Sequence, residues 1–226
     1  MSRLKLAPSI LTADFARLGE ELASVADYVD WYHLDVMDGH YVPNLTFGPS
    51  IVAAVRRAVE QPLHVHLMIE DPDAYAEEFA QQGAARISFH PEVTSDPGAV
   101  IATIREAGAG AGIAVHPDVD VSVLEGHLDD IEVALMMTVR PGFGGQEFLD
   151  QALPKIALVE KMIGEAGVAV DIEVDGGINL STVDRAVEAG GRILVAGSAI
   201  FNGIDAPAAA RKLRDRLDAL NAEKDA

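Results

Sequence analysis

The sequence predicts an α/β protein: a single (β/α)8 barrel, or TIM barrel, spanning residues 1–226. Three observations carry that expectation. Short apolar, β-branched runs alternate strictly with amphipathic stretches, eight of each, the pattern of a parallel sheet covered by helices. Polar and glycine-rich residues gather at the downstream ends of those runs, where a parallel barrel collects its working groups. No linker, low-complexity segment or composition break divides the chain, and its length suits eight compact units. An open, doubly wound sheet is the alternative.

The units follow in order. The run at 4–9 leads into a helical pattern over 15–26, and 31–36 into 49–58. The third unit pairs 63–68 with 72–82, and the fourth 86–90 with 97–107. In both, an aspartate (Asp71, Asp96) stands ready to cap a helix that has proline in its first turn. The later units pair 112–115 with 121–128, 133–139 with 153–166, 169–175 with 180–189, and 192–196 with 206–220. Gly83, Gly108, Gly167 and Gly190 sit where helices should stop. The tail 221–226 is expected to fray. Gly108, Gly110 and Gly112 mimic a dinucleotide fingerprint, but they follow a helix and lead into a strand, the reverse of what that motif needs. They read as a helix stop and a flexible connection.

Charge and composition remove whole classes of function. With 17 basic and 36 acidic residues the formal net charge is −19, which argues against nucleic acid and anionic membranes as partners. The acidity fits an ordinary solvated surface or adaptation to high salt. There is no cysteine, so disulfide frameworks, thiolate metal sites and cysteine nucleophiles are excluded. No apolar run approaches the ~20 residues of a membrane span. Pro8, Ser9 and Asp14 interrupt the apolar start, so no secretory signal is expected, and the expected location is cytoplasmic.

Three run ends carry metal-binding chemistry. In His33-Leu34-Asp35-Val36-Met37, a period of two puts the imidazole and carboxylate on one face and the aliphatic residues on the other. His66 and Met68 share a face in the next run, and Asp175 ends the run 169–175. Two imidazoles and two carboxylates suit one divalent cation such as zinc, iron(II), manganese or cobalt. Each residue alone would be a buried histidine or a turn aspartate; four with matching parity form a site.

A second constellation is rich in glycine: Gly142-Phe143-Gly144-Gly145 after the sixth run, Gly176-Gly177 after the seventh, and Gly197-Ser198 after the eighth. A short helix starting near Ser198 would aim backbone N–H groups at a phosphate without needing lysine. None of the five lysines falls at a run's downstream end, which argues against a Schiff-base aldolase. A metal, two carboxylates and a phosphate anchor on one rim imply proton transfer beside the carbonyl of a phosphorylated ketose, through an enediolate.

The segments LAPSILTADF, HLDVMDGHYVPNLTFGP, HLM, MTVRPGFGGQEF, EVDGGIN and VAGSAIF, in order over nearly the whole chain, resemble the ribulose-phosphate 3-epimerase family. The resemblance implies a metal-dependent isomerase that interconverts D-ribulose 5-phosphate and D-xylulose 5-phosphate in the pentose phosphate pathway, commonly as a dimer or hexamer. It implies His33, Asp35, His66 and Asp175 as metal ligands, with Asp35 and Asp175 as proton acceptor and donor. Ser9 and His66 would contact substrate, Met37, Met68 and Met137 would cap the reacting carbons, and the glycine loops with Phe143 and Ser198 would hold the phosphate. A relative acting on a six-carbon ketose phosphate such as allulose 6-phosphate stays open. Arg140 stands where the family often has asparagine or glutamate, either touching phosphate or simply exposed. His64 stands where aspartate is common, as a hydrogen-bonded neighbour of the site.

Overall fold

The computed structural model describes the backbone of residues 3–225 and the side chains of 3–223. Eight parallel strands form one sheet: β1 (Lys5–Pro8), β2 (Tyr32–Met37), β3 (Leu63–Met68), β4 (Arg86–Phe89), β5 (Gly110–Val115), β6 (Val133–Met137), β7 (Asp171–Asp175) and β8 (Ile193–Ala196). The spatial order is β1-β8-β7-β6-β5-β4-β3-β2. The two remaining edges meet through a parallel bridge between Ser9 and His33, and the N–H groups of Asp30 and Trp31 both donate to Leu6 O. The barrel is therefore nearly closed, and the open-sheet alternative is set aside.

The period-two reading holds. Leu34, Val36, Val65, Leu67, Ile172 and Val174 point outward into the main apolar core between strands and helices. Their neighbours His33, Asp35, His64, His66 and Glu173 are buried on the inner face. Burying each large aliphatic side chain contributes about 1.5–3 kcal/mol, so this outer layer supplies most of the cohesion.

Seven α-helices lie among the described residues: α1 (Leu18–Val25), α2 (Pro49–Ala58), α3 (Pro72–Gln81), α4 (Pro97–Glu106), α5 (Leu153–Ala166), α6 (Val183–Glu188) and α7 (Ala206–Asp225). Asp71 accepts from the Ala74 N–H and Asp96 from the Ala99 N–H, as their positions before proline foretold. Gly83, Gly108, Gly167 and Gly190 take positive φ at helix ends.

Two expectations need correction. The pattern at 121–128 folds only into a 3-10 turn, Val121–Leu124. Asp120 caps that turn, only Val121 and Leu124 are buried in it, and Gly126 then turns with φ 81, leaving no apolar face for a longer helix. Gly110 is not part of a flexible connection, because β5 begins there, two residues ahead of the expected run 112–115, and a Cβ on Gly112 would lie 2.3 Å from both Ser88 Oγ and Val133 Cγ1. The helix α7 extends to Asp225; Asn221 Oδ1 accepts from the Leu4 N–H at 3.0 Å, and Glu223 pairs with Arg216 at 3.3 Å. Residue 226 lies outside the described residues.

Candidate active site and metal centre

The neighbours β2 and β3 end across the barrel mouth from β7, which lies between β6 and β8, and the register explains which side chains meet. Asp35 lies opposite His66, Met37 opposite Met68, and Met137 opposite Asp175. One ligand atom from each of His33, Asp35, His66 and Asp175 can be chosen so that all four lie within 4.8 Å of one another. Sequence parity had placed these four on one inner face, and the fold gathers them there.

Hydrogen bonds aim each ligand. Glu173, on the same face as Asp175, accepts from His33 Nδ1 at 2.8 Å, which turns the ring so that Nε2 faces the site. That Nε2 is buried with no hydrogen-bond partner, 3.2 Å from Asp35 Oδ1 and 3.8 Å from Asp175 Oδ2. A buried imidazole nitrogen facing two carboxylate oxygens calls for a positive charge between them. A cation bound by His33, Asp35, His66 and Asp175 meets that need, and the outer carboxylate on His33 is the usual support of a metal-binding histidine. Burial alone would keep the His33 ring neutral, but the charge of Asp35 and the contact with Glu173 raise its pKa well above the ordinary value. Positive charge is thus favoured at this position.

The two aspartates are pushed apart. Burial would raise the Asp35 carboxyl, but the close imidazoles of His33 and His66 overcome it and hold it well below the usual range. The Ser9 hydroxyl donates to Asp35 Oδ2 at 2.5 Å while accepting from the Leu11 N–H. Asp175 has no such support, and burial together with the nearby Asp35 charge pushes it up to about 8.

Above the cluster opens a cavity of about 510 Å³. Its lining includes Ser9, Asp35, Asp175, Met37, Met68, Met137, Gly142, Phe143, Gly144, Gly145, Gly176, Gly177, Gly197 and Ser198. His33 and His66 lie fully buried, outside the cavity's lining, so they face the cluster and not the open space. The rim loops are stitched together: Asn44 Nδ2 donates to Gly142 O, Gln146 Nε2 to Arg140 O and Phe143 O, and Thr138 Oγ1 to Gly176 O. Gly176 and Gly177 take φ of 122° and 67°, and a Cβ there would meet Val139 at 2.5 Å and the Phe148 backbone at 2.6 Å. Only glycine fits such backbone and such contacts. Instead of the short helix expected near Ser198, Gly197–Phe201 form one turn, with the Ile200 and Phe201 N–H groups bonded to Gly197 O.

The ribulose-phosphate 3 epimerase family matches residues 5–201. The chain belongs to that family. A ribulose-phosphate 3-epimerase from Bacillus subtilis (strain 168) is 48% identical over 213 residues, covering 93% of this chain and 98% of the relative. One from Synechocystis sp. is 46% identical over 200 residues, 87% of each chain. Among solved structures, 3-hexulose-6-phosphate synthase has TM-score 0.70 at 20% identity, covering 94% of this chain and 99% of that one. KGPDC from Streptococcus mutans has TM-score 0.72 at 17% identity, covering 96% and 99%. Those two likenesses show the barrel alone.

Against the family pattern, both departures take bland roles. His64 bonds Glu173 Oε2 at 2.7 Å and Ser88 Oγ at 2.7 Å, a buried neighbour as expected. Arg140 is 69% exposed, pairs with Asp118 and does not line the cavity. Sequence reasoning overlooked Glu173 and Ser88, which bond His64 next to the cluster, His90 beside His66, and Thr12 and Arg185 on the cavity wall. Two-residue spacing before Asp175 was the available signal for Glu173. Nothing in the sequence marked Arg185, the one cation lining the cavity among the described residues, whose guanidinium bonds Asp150 and lies over the Phe148 ring.

Proposed function

We propose that the protein is a metal-dependent ribulose-phosphate 3-epimerase, interconverting D-ribulose 5-phosphate and D-xylulose 5-phosphate by proton transfer at C3. The observation that carries the reading is the meeting of two carboxylates from opposite parts of the barrel, Asp35 on β2 and Asp175 on β7, beside two imidazoles at one cavity floor. When bound by His33, Asp35, His66 and Asp175, a divalent cation (zinc, iron(II), manganese or cobalt) would polarise the substrate's oxygens and lower the pKa of the C3 proton.

The chain's own groups supply the rest. Asp35, ionised and steadied by Ser9, takes the C3 proton on one face, leaving a planar enediolate carbon. Asp175, protonated, returns a proton to the opposite face, and the roles exchange in the reverse direction. Met37, Met68 and Met137 shield the planar carbon from water with polarisable, uncharged surface. The backbone of Gly142–Gly145, Gly176, Gly177, Gly197 and Ser198 supports phosphate binding without lysine, and Ser9, which lines the cavity, is read as a further substrate contact, whereas His66 lies behind the cluster.

The described barrel is read as one catalytic domain acting in the cytoplasm. Among the described residues no helix is long and apolar enough to cross a membrane. Assembly as a homo-oligomer is carried over from the family resemblance.

The test combines metal analysis of purified protein with solvent deuterium incorporation at C3 of ribulose 5-phosphate. The parent protein should contain about one divalent ion per chain and exchange that hydrogen. Asp175→Asn should lose roughly 10²–10⁴-fold or more in turnover and retain metal poorly while keeping its fold. Parent-like epimerisation by that variant would overturn the reading.

A further inference from the structure

His66 faces the cluster with only one ring nitrogen. Its Nδ1 lies 3.2 Å from Asp35 Oδ1 and 3.7 Å from Asp175 Oδ2. Its Nε2 lies 3.0 Å from Nε2 of His90. His90, just past β4, is fully buried, its ring packed between those of His66 and Tyr41 at centroid distances of 5.1 and 4.8 Å. The other nitrogen of His90, Nδ1, is buried without a hydrogen-bond partner and faces Glu92 Oε1 at 3.5 Å. That same carboxylate oxygen accepts from the Tyr41 hydroxyl at 2.8 Å.

A proton count limits what this row can do. The bond between the two Nε2 atoms holds one proton. Two neutral rings carry two, so the second sits either on His66 Nδ1, facing Asp35, or on His90 Nδ1, facing Glu92. Only the second arrangement leaves His66 Nδ1 with a free lone pair toward the cluster. The carboxylate of Glu92 favours that arrangement by attracting the Nδ1–H of His90, and both arrangements contain two protons.

We infer that His90 and Glu92 are positioning residues that hold His66 in its Nε2–H form and so present its Nδ1 lone pair to a divalent cation, with Tyr41 steering Glu92 from the loop after β2. The inference rests on the metal-site reading above. Outer partners of metal-binding histidines typically change metal affinity by about 10–100-fold, and here the partner is an imidazole backed by an acid.

The measurement is zinc affinity by competition with a chelator, with circular dichroism and the unfolding midpoint followed on each sample. His90→Phe should bind zinc about 10–100-fold more weakly. His90→Gln, whose amide oxygen can accept from His66 Nε2–H, should recover most of that loss, and Glu92→Gln should fall between. In zinc-loaded parent protein, ¹⁵N-resolved imidazole spectra should show the His66 proton on Nε2. Two results would overturn the inference: a folded His90→Phe within twofold of the parent, or a folded His90→Gln as weak as His90→Phe. If His90→Phe does not fold, a parent-like affinity in Glu92→Gln or a His66 proton on Nδ1 overturns it instead. A parent protein that binds no divalent ion removes the metal-site reading itself, an outcome seen without any variant.

Discussion

Replacing Glu173 with leucine removes the acceptor shared by two buried imidazoles, at 2.8 Å from His33 Nδ1 and 2.7 Å from His64 Nδ1, and keeps a side chain of similar reach. Each buried ring nitrogen left without a partner, whether donor or acceptor, costs about 1–3 kcal/mol, so the two together cost roughly 2–6 kcal/mol. Removing a buried charge returns part of that through relieved desolvation. We expect a net loss of about 2–4 kcal/mol, a large share of a typical ~5–15 kcal/mol stability. Glu173→Gln should cost much less. His33 can donate to the amide oxygen, while His64 can shift its proton to the nitrogen that faces Ser88 Oγ, a group able to accept as well as donate. Both variants lose the charge behind His33, so metal affinity should fall about 10–100-fold. Urea unfolding of the metal-free protein gives the first quantity and chelator competition the second. A Glu173→Leu protein as stable as the parent, with unchanged metal affinity, would refute the view that Glu173 organises the floor of the site.

Other outcomes follow from the same structure. Gly177→Ala adds a Cβ 2.6 Å from the Phe148 backbone at a φ of 67°; it should raise KM for the phosphorylated substrate by tenfold or more and lower the unfolding midpoint. Arg185→Ala removes the single cation found among the cavity-lining residues; steady-state kinetics should show KM rising about three- to tenfold with kcat little changed, and a weaker dependence of kcat/KM on ionic strength. Asp184 accepts two hydrogen bonds from Arg216, at 2.8 Å each, and that bonding, against opposing burial, holds its carboxyl below the ordinary value. Its contribution to stability is complete above the unfolded-state pKa of about 3.9 and is lost as pH falls through the lower folded value. Asp184→Asn should therefore reduce stability at neutral pH but not at the acid end of a pH series.

Much of this was legible in the sequence, for identifiable reasons. The strand runs at β2, β3 and β7 alternate with period two, so assigning Leu34 and Val36 outward fixed His33 and Asp35 inward without any knowledge of the fold's closure. Asp71-Pro72 and Asp96-Pro97 are local signals, and local signals survive tertiary context. What escaped was set by contacts across the barrel. Gly110 reads as part of a connection in sequence, yet β5 begins there because it pairs with Arg86 on β4. The stretch after β5 is periodic enough to suggest a helix, but Gly126 and too few apolar residues stop it after one turn. Glu173 and His90 act on other residues' ring nitrogens, a relation that exists only once β4 pairs with β3 and the closing barrel brings β7 across from β2 and β3.

That last point bears on how the molecule comes into being. The four candidate ligands span the chain from His33 to Asp175, and the seam between first and second strands is drawn shut at Ser9 and His33. A ribosome must therefore release about three-quarters of the polypeptide before an ion can find its full complement of donors. Ion capture would be a late event in biogenesis, and a nascent or truncated product lacking the seventh strand would carry three of the four donors and have no means of completing the set.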